Sequence, residues 1–332
     1  MRRVASERGQ VAQALWYVEP GRAEIRREAL GAAANSVVVR ALHGALSRGT
    51  ERLVFGGRVP SSEFERMRAP HMGGSFPFPV KYGYSTVGRV EAGPEGLVGR
   101  IVFALHPHQD LFALPADAVT PVPENVPPRR AVLAANMETA LNAVWDGFPQ
   151  AADRIAVVGA GVVGALVAWL CGKLPGAQVT LIDVVAARAE TAKRLGVGFA
   201  APDSAPRDHD LVVHASGTAA GLATALAIAG DEATVLELSW YGAGDVAAAL
   251  GGAFHSRRLR LVCSQVGRVA PSHRPRWTTQ RRLASAIALL ADDALDALIA
   301  PPVAFGELPG KLATILAPDS GILCQLIDYP AV

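Results

Sequence analysis

The segment Gly159-Ala160-Gly161-Val162-Val163-Gly164 carries residue types at a spacing that predicts a definite chemistry. It follows the apolar run 155–158 and precedes a second apolar run, so it reads as the turn between a buried strand and a buried helix. In such a turn the first glycine permits the tight reversal. The second lets the backbone approach a pyrophosphate, and the third lets helix and strand pack closely. The helix N-terminus then offers unpaired N–H groups and partial positive charge to the phosphates. Nineteen residues past Gly164, Asp183 closes the next apolar run. A carboxylate there accepts both hydroxyls of an adenosine ribose and repels a 2′-phosphate, which favours NAD over NADP. Arg188, five residues further on, weakens that preference. The plain alternative is a tight glycine turn followed by a surface aspartate.

The elements that must hold this loop follow from the surrounding pattern. Strands are predicted at Arg154–Val158, Gln178–Ile182, Leu211–Ala215, Ala233–Leu238 and Leu259–Cys263. Helices are predicted at Arg130–Phe148, Gly161–Leu174, Ala186–Leu195 and Gly221–Ala229. Alternation of this kind implies βαβ units and a parallel sheet. The first third reads differently. Ala14–Val18 and Ala23–Arg27 flank the turn signal Glu19-Pro-Gly-Arg22, which predicts a hairpin. Further strands are predicted at Ser36–Arg40, Val87–Glu91, Arg100–Ala104 and Asp110–Leu114, with an irregular Gly/Pro/Ser-rich stretch between Phe55 and Pro79. Pro121, Pro123, Pro127 and Pro128 mark the boundary between the two patterns. Beyond it, a long helix at Arg281–Ala297 and late strands at Val303–Glu307 and Ile322–Asp328 complete the chain. The fold class is therefore α/β, organised as 1–127 β-rich, 128–268 dinucleotide-binding, and a C-terminal segment at 269–332.

Bulk properties exclude several classes. The chain has 332 residues, half of them hydrophobic, and a formal net charge of +2. That charge is too small to imply nucleic acid or an anionic membrane. The stretch 155–172 is apolar and nearly long enough to span a bilayer, but its four glycines fit a strand, a turn and a helix better. The three cysteines, Cys171, Cys263 and Cys324, lie far apart, which speaks against a disulfide scaffold or a zinc knuckle. A cytoplasmic location is expected, since no signal peptide is legible at the start.

The order of these features resembles the medium-chain dehydrogenase/reductase superfamily. Ala14–Leu30 is similar to its opening strands. Gly83-Tyr-Ser-Thr-Val-Gly-Arg-Val-Glu-Ala-Gly93 is similar to its GHExxGxVxxxG segment, and Val157–Asp183 to its nucleotide loop. His214-Ala-Ser-Gly217 and the loop after Leu238 resemble its later cofactor contacts. The resemblance implies a GroES-like β-rich N-terminal domain, a Rossmann doubly wound parallel sheet, and a tail that rejoins the first domain. Ser47-Arg-Gly-Thr-Glu51 and Gly83-Tyr-Ser-Thr-Val-Gly88 further resemble the branch that includes bacteriochlorophyllide hydroxyethyl dehydrogenases, which implies a secondary alcohol or ketone as substrate.

The departures from that family shape the expected mechanism. Its zinc-dependent members hold a catalytic zinc through a Cys of the first domain, the His of the GHE motif, and a second Cys before the Rossmann domain. Here those regions read His43-Gly-Ala-Leu-Ser47, Gly83-Tyr84-Ser85 and Asn136-Met-Glu-Thr139. The four-cysteine structural lobe is also missing. A zinc site needs at least three protein ligands, so no zinc is expected. His43 and Glu138 are the residues from which a site could be rebuilt.

Without zinc, a side chain must move the proton. Tyr84 and Glu138 stand at or beside the lost ligand positions and His43 near the third. Tyr84 could donate to a carbonyl, Glu138 could act as a base if burial raises its pKa, and His43 could relay. The alternatives are a packed aromatic, a structural acceptor and a satisfied strand-end histidine. Cofactor contacts are expected from Gly159, Ala160, Gly161, Val162, Val163, Gly164, Asp183, Arg188, Ser216, Gly217, Ser239 and Trp240. Thr139 is expected at the nicotinamide ribose or as a helix-start cap. His71, His106 and His108 read as loop residues. The expected function is zinc-independent hydride transfer between NAD(H) and a secondary alcohol or ketone. A quinone or enone reductase of the same fold is one alternative, and a catalytically silent nucleotide-binding scaffold is the other. The expected partners are a small-molecule substrate and a second copy of the chain, with no nucleic acid and no membrane.

Overall fold

The computed structural model describes residues 10–31 and 35–330. The first half is built from antiparallel strands. β1 (Val11–Glu19) and β2 (Arg22–Ala29) form the hairpin that the Pro-Gly turn predicts. β3 (Ser36–Leu46) follows and runs straight into α1 (Arg48–Phe55). Next come the short β4 (Gly73–Gly74) and β5 (Val80–Lys81), then β6 (Thr86–Ala92), β7 (Ile101–Ala104), β8 (Leu111–Pro115) and β9 (Val119–Pro121). Buried and exposed positions alternate along β1 and β3, as a sheet with one face on a core requires.

The chain then changes period. α2 (Pro128–Ala131) and α3 (Ala134–Gly147) stand where one helix was expected. The second half alternates β10 (Arg154–Val158), α4 (Val162–Gly172), β11 (Gln178–Ile182), α5 (Arg188–Arg194), β12 (Gly198–Ala200), β13 (His209–His214), α6 (Ala219–Ile228), β14 (Ala229–Glu237) and β15 (Arg260–Cys263). The six strands form one parallel sheet in the order β12-β11-β10-β13-β14-β15. Strand order therefore reverses between β10 and β13, and the crevice at their C-terminal ends is where such sheets take ligands. The apolar stretch 155–172 is divided between β10 and α4, and no helix among the described residues is long and apolar enough to cross a membrane.

The tail holds α7 (Thr279–Leu289), β16 (Ile299–Ala304), α8 (Leu308–Leu316) and β17 (Cys324–Asp328). Leu283, Ala286 and Ile287 of α7 pack into the core beneath the parallel sheet. β17 returns to the first half and pairs with β3, so one seven-stranded sheet joins the two ends of the chain.

Three sequence expectations differ from these elements. The helix expected at Arg281–Ala297 ends at Leu289, because Asp292 caps a new 3-10 turn by accepting from the Ala294 N–H. The strand expected at Val303–Glu307 lies earlier, and α8 follows it with Pro309 in its first turn, where a missing N–H costs nothing. α1 was not expected. Its start is held by Glu51, whose Oε1 accepts from the Ser47 N–H at 2.8 Å.

Candidate dinucleotide site at the strand ends

The glycine loop has the shape its sequence predicts. Gly159 sits at φ +108°, and a Cβ there would lie 2.6 Å from the backbone nitrogen of Ser216. A Cβ on Gly164 would lie 2.0 Å from the Gly159 carbonyl oxygen. Gly161 is different: nothing lies within 4 Å of its Cβ position, so its face of the loop is open. Gly161 is also the N-cap of α4 and supplies no side-chain acceptor, which leaves the first N–H groups of that helix to a ligand. Val162 and Val163 open the helix and pack on the core, and Ala160 is fully buried.

Asp183 lies just past β11, with its carboxylate turned to the loop. Oδ2 accepts from the Ala160 N–H at 2.7 Å and Oδ1 from the Val185 N–H at 2.8 Å. The carboxylate is thus fixed at the edge of the loop, where a ribose would meet it. Arg188 opens α5. Burial lowers the pKa of its guanidinium, and the nearby Asp183 charge opposes that shift.

On the other side of the loop, β13 and β14 end in His214 and Glu237, which are cross-strand neighbours. His214 Nδ1 lies 2.7 Å from Glu237 Oε2, and Nε2 lies 2.6 Å from Ser216 Oγ. The Ser239 N–H donates to Glu237 Oε1 at 2.7 Å, and Tyr241 OH donates to Oε2 at 3.0 Å. Gly217, at φ +67°, donates its N–H to Ser239 Oγ at 3.0 Å. Trp240 packs against the core of the β-rich half, and a Cβ on Gly242 would touch the Arg58 carbonyl oxygen and Leu53 of α1. Ser239–Gly242 therefore bridges the two halves beside the dinucleotide loop. Sequence reasoning named Ser216, Gly217, Ser239 and Trp240 individually. It missed that the His214–Glu237 pair links Ser216 to Ser239, since only strand register brings those two side chains into contact.

The three residues expected to replace zinc each hold a separate partner. Tyr84 packs between the cores of the two halves, and burial pushes its phenol up to about 12 against hydrogen bonds with Ser47 and Thr50. His43 Nδ1 lies 2.7 Å from Asp328 Oδ1 on β17. Glu138 is buried on α3, with Oε1 accepting from Arg282 Nε at 3.0 Å. Burial raises its pKa, while the charge and hydrogen bond of Arg282 pull the other way. Thr139 is corrected in one respect. It lies inside α3 with its hydroxyl donating to the Ala135 carbonyl at 3.0 Å, so it is not a helix-start cap. His106 and His108 lie in the loop between β7 and β8, as expected, but both are buried, and His108 Nε2 lies 2.9 Å from Glu51 Oε2 in a cluster that also contains Tyr17. Among the described residues, no group of three or more His, Cys, Asp or Glu side chains is placed to hold a metal ion.

No family model matches this sequence. An uncharacterized zinc-type alcohol dehydrogenase-like protein of Haemophilus influenzae is 35% identical over 89 residues, which is 27% of this chain. The match spans about a quarter of that relative's length, 26%. Solved structures align over nearly the whole chain. L-idonate 5-dehydrogenase of Escherichia coli K-12 superposes with a TM-score of 0.80 at 13% identity, covering 96% of this chain and 99% of its own. A protein of Sinorhizobium meliloti described as a zinc-binding dehydrogenase, bound to NADP, gives 0.78 at 17% identity over 96% and 99%. A short chain alcohol dehydrogenase of E. coli CFT073 in complex with NADH gives 0.76 at 16% identity over 97% and 100%. The chain therefore has the fold of these dehydrogenases, a GroES-like β-rich half joined to a Rossmann half.

Proposed function

We propose that this protein is an oxidoreductase that binds NAD(H) and interconverts a secondary alcohol and a ketone without zinc. The observation that carries the reading is the loop at Gly159–Gly164, open at Gly161 and flanked by the Asp183 carboxylate, which the Ala160 N–H of the loop and the Val185 N–H hold in place. These residues fit a dinucleotide: N–H groups of α4 for the pyrophosphate and Asp183 for the adenosine ribose, with Arg188 beside it. A bound nicotinamide would supply or accept the hydride. The preference for NAD over NADP rests on Asp183, whose charge opposes a 2′-phosphate. Arg188 weakens that preference; burial lowers the pKa of its guanidinium and the Asp183 charge opposes that shift. Zinc independence is supported by the partners of the side chains at the family's ligand positions: Asp328 for His43, Arg282 for Glu138, and Ser47 and Thr50 for Tyr84.

The test is a titration with NADH and with NADPH, following energy transfer from tryptophan to the reduced nicotinamide. Trp145, Trp169 and Trp240 all lie in the Rossmann half or its bridging loop. Binding of NADH at least about tenfold tighter than NADPH is expected from one charge-assisted contact. Failure of both cofactors to bind a folded protein would sink the reading. Elemental analysis tests the other part: zinc near one atom per chain would overturn zinc independence.

We also propose a homodimer through β15. This strand closes one edge of the parallel sheet, and all four of its residues are exposed.

A further inference from the structure

Ser216, His214 and Glu237 stand in the geometry of a hydroxyl–imidazole–carboxylate triad. The two contacts that define it are 2.6 Å (Ser216 Oγ to His214 Nε2) and 2.7 Å (His214 Nδ1 to Glu237 Oε2). His214 is fully buried, while Ser216 keeps a partly exposed surface beside the exposed Gly217 and Thr218. An ionised carboxylate only accepts, so His214 Nδ1 carries the proton shared with Glu237. Nε2 then holds the lone pair, and the Ser216 hydroxyl donates to it.

Burial pushes Glu237 upward, but the hydrogen bonds from His214 and from the Ser239 N–H outweigh it and hold this carboxyl below the usual range. The carboxylate therefore stays available to stabilise an imidazolium. The pair fits against α6 only because residue 221 is glycine. A Cβ there would lie 2.0 Å from Ser216 Oγ and 2.8 Å from His214 Nε2.

The sheet order says what this hydroxyl faces. Asp183 follows β11 on one side of the Gly159 loop, while Ser216 and Glu237 stand at β13 and β14 on the other. The Ser216 backbone itself packs on Gly159. A dinucleotide with its adenosine at Asp183 would run across the loop towards the side on which Ser216 stands.

We propose that Ser216 Oγ is the acid–base hydroxyl of this site, and that His214 and Glu237 are the positioning residues that activate it. The inference rests on the dinucleotide reading above. In the oxidising direction, Ser216 Oγ takes the proton of the substrate alcohol as its own proton passes to His214 Nε2. The imidazolium formed is held by Glu237 and returns its proton to Ser216 Oγ as that partly exposed hydroxyl gives its own to solvent after the product leaves. In the reducing direction the same protons run backwards to the carbonyl oxygen. No bond other than O–H and N–H is made or broken in this chain.

The charged and titratable groups that face His214 are Glu237 from β14 and Tyr241 from the bridging loop, whose OH is 3.3 Å from Nδ1. Cys263 of β15 lies further off, its thiol raised first by burial and next by the charge of Glu237. From α6 the packed neighbour is Gly221, and Thr218 at its start offers only a hydroxyl, 3.0 Å from Ser216 Oγ.

Activation of a serine can be read without knowing the substrate. The protein is incubated with a fluorophosphonate probe, which reacts with activated serine hydroxyls, and the labelled peptide is identified by mass spectrometry. Labelling at Ser216 is expected, with none in Ser216→Ala. The rate should fall about a hundredfold in His214→Gln and about tenfold in Glu237→Gln, in proteins whose melting shows them folded. The pH profile of the wild-type rate should differ in shape from that of His214→Gln. NADH should slow the labelling.

An unlabelled Ser216 in folded wild type overturns the triad, as does a His214→Gln rate equal to wild type. Labelling that neither cofactor slows, in a protein that binds NADH by fluorescence, overturns the acid–base role while leaving the dinucleotide reading intact. Labelling in a protein that binds neither cofactor overturns the dinucleotide reading and, with it, this role for Ser216.

Discussion

Glu138 and Arg282, 144 residues apart in the chain, meet as a buried ion pair with Arg282 Nε 3.0 Å from Glu138 Oε1. The same guanidinium donates to Asn142 Oδ1 and to the carbonyls of Val266 and Arg268. One side chain of α7 thus fastens the tail to α3 and to the segment after β15. Breaking such a pair from one side leaves a carboxylate buried without compensation. Arg282→Met is expected to cost about 3–5 kcal/mol of unfolding free energy, read from urea denaturation. Adding Glu138→Gln should recover part of that loss. A double variant as unstable as the single one would show that Arg282 acts through its carbonyl contacts and not through Glu138.

Gly164→Ala sets two effects against each other. Alanine in a helix interior is favoured over glycine by about 1 kcal/mol. Here the added methyl would sit 2.0 Å from the Gly159 carbonyl oxygen, which belongs to backbone and cannot swing aside. The clash wins, so the variant is expected to melt lower than wild type and to bind NADH at least about tenfold more weakly, as expected when overpacking at a tight site costs about 1–3 kcal/mol. Gly161→Ala is the control. Its Cβ would enter open space, so stability should hold while cofactor binding weakens. Equal melting of wild type and Gly164→Ala would contradict the close packing.

The parts of the fold that could be read in advance are those whose signal is local. The loop at Gly159–Gly164 and the alternation around it show themselves because each strand and helix is marked by its own apolar run. α1 escaped because Gly49 interrupts its first turn and its stabilising contact, Glu51 to the Ser47 N–H, is visible only once the turn has formed. α8 escaped because Pro309 and Gly310 read as breakers, although a proline in a first turn is harmless. At the site, the glycines and Asp183 were legible. The link between His214 and Glu237 was not, because it depends on β13 and β14 being adjacent and in register. Glu51 and His108, 57 residues apart, were hidden for the same reason. Glu138 and His43 were legible as polar residues at chosen positions, yet nothing in the sequence announced Arg282 or Asp328 as their partners.

Acid should destabilise this protein before its carboxylates titrate. His106 is buried between β7 and β8, stacked on Phe112 at 4.0 Å, and burial pushes its imidazole down to about 3 from 6.5. His71 and His209 are lowered as well, again by burial. Below pH 6.5 the unfolded chain takes up a proton that folded His106 refuses, so stability present above that pH is lost as the pH falls towards 3. For His106 alone the loss should reach about 2 kcal/mol by pH 5. Thermal melts at pH 7.5 and pH 5 should differ accordingly. His106→Phe keeps the stacking and removes the titration, so it should narrow the gap. An unchanged gap would assign the acid sensitivity to other groups.

The edge at β15 yields the remaining prediction. An unpaired edge strand shows a row of free N–H and C=O groups, which proteins normally cover or guard with charge. β15 has Arg260 at its start, but Leu261 and Val262 are each 40% exposed, and Cys263 follows them into solvent. Two copies joined antiparallel through this strand would extend both sheets and bury both apolar side chains in one self-complementary contact. Light scattering coupled to size exclusion should therefore find a dimer at micromolar concentration. Leu261→Lys with Val262→Lys places like charges on both faces of the edge and should yield a monomer whose melting, at dilutions where wild type is also monomeric, is little changed. A wild type that is monomeric at tens of micromolar would remove β15 as the interface, and a double variant that remains dimeric would move the interface elsewhere.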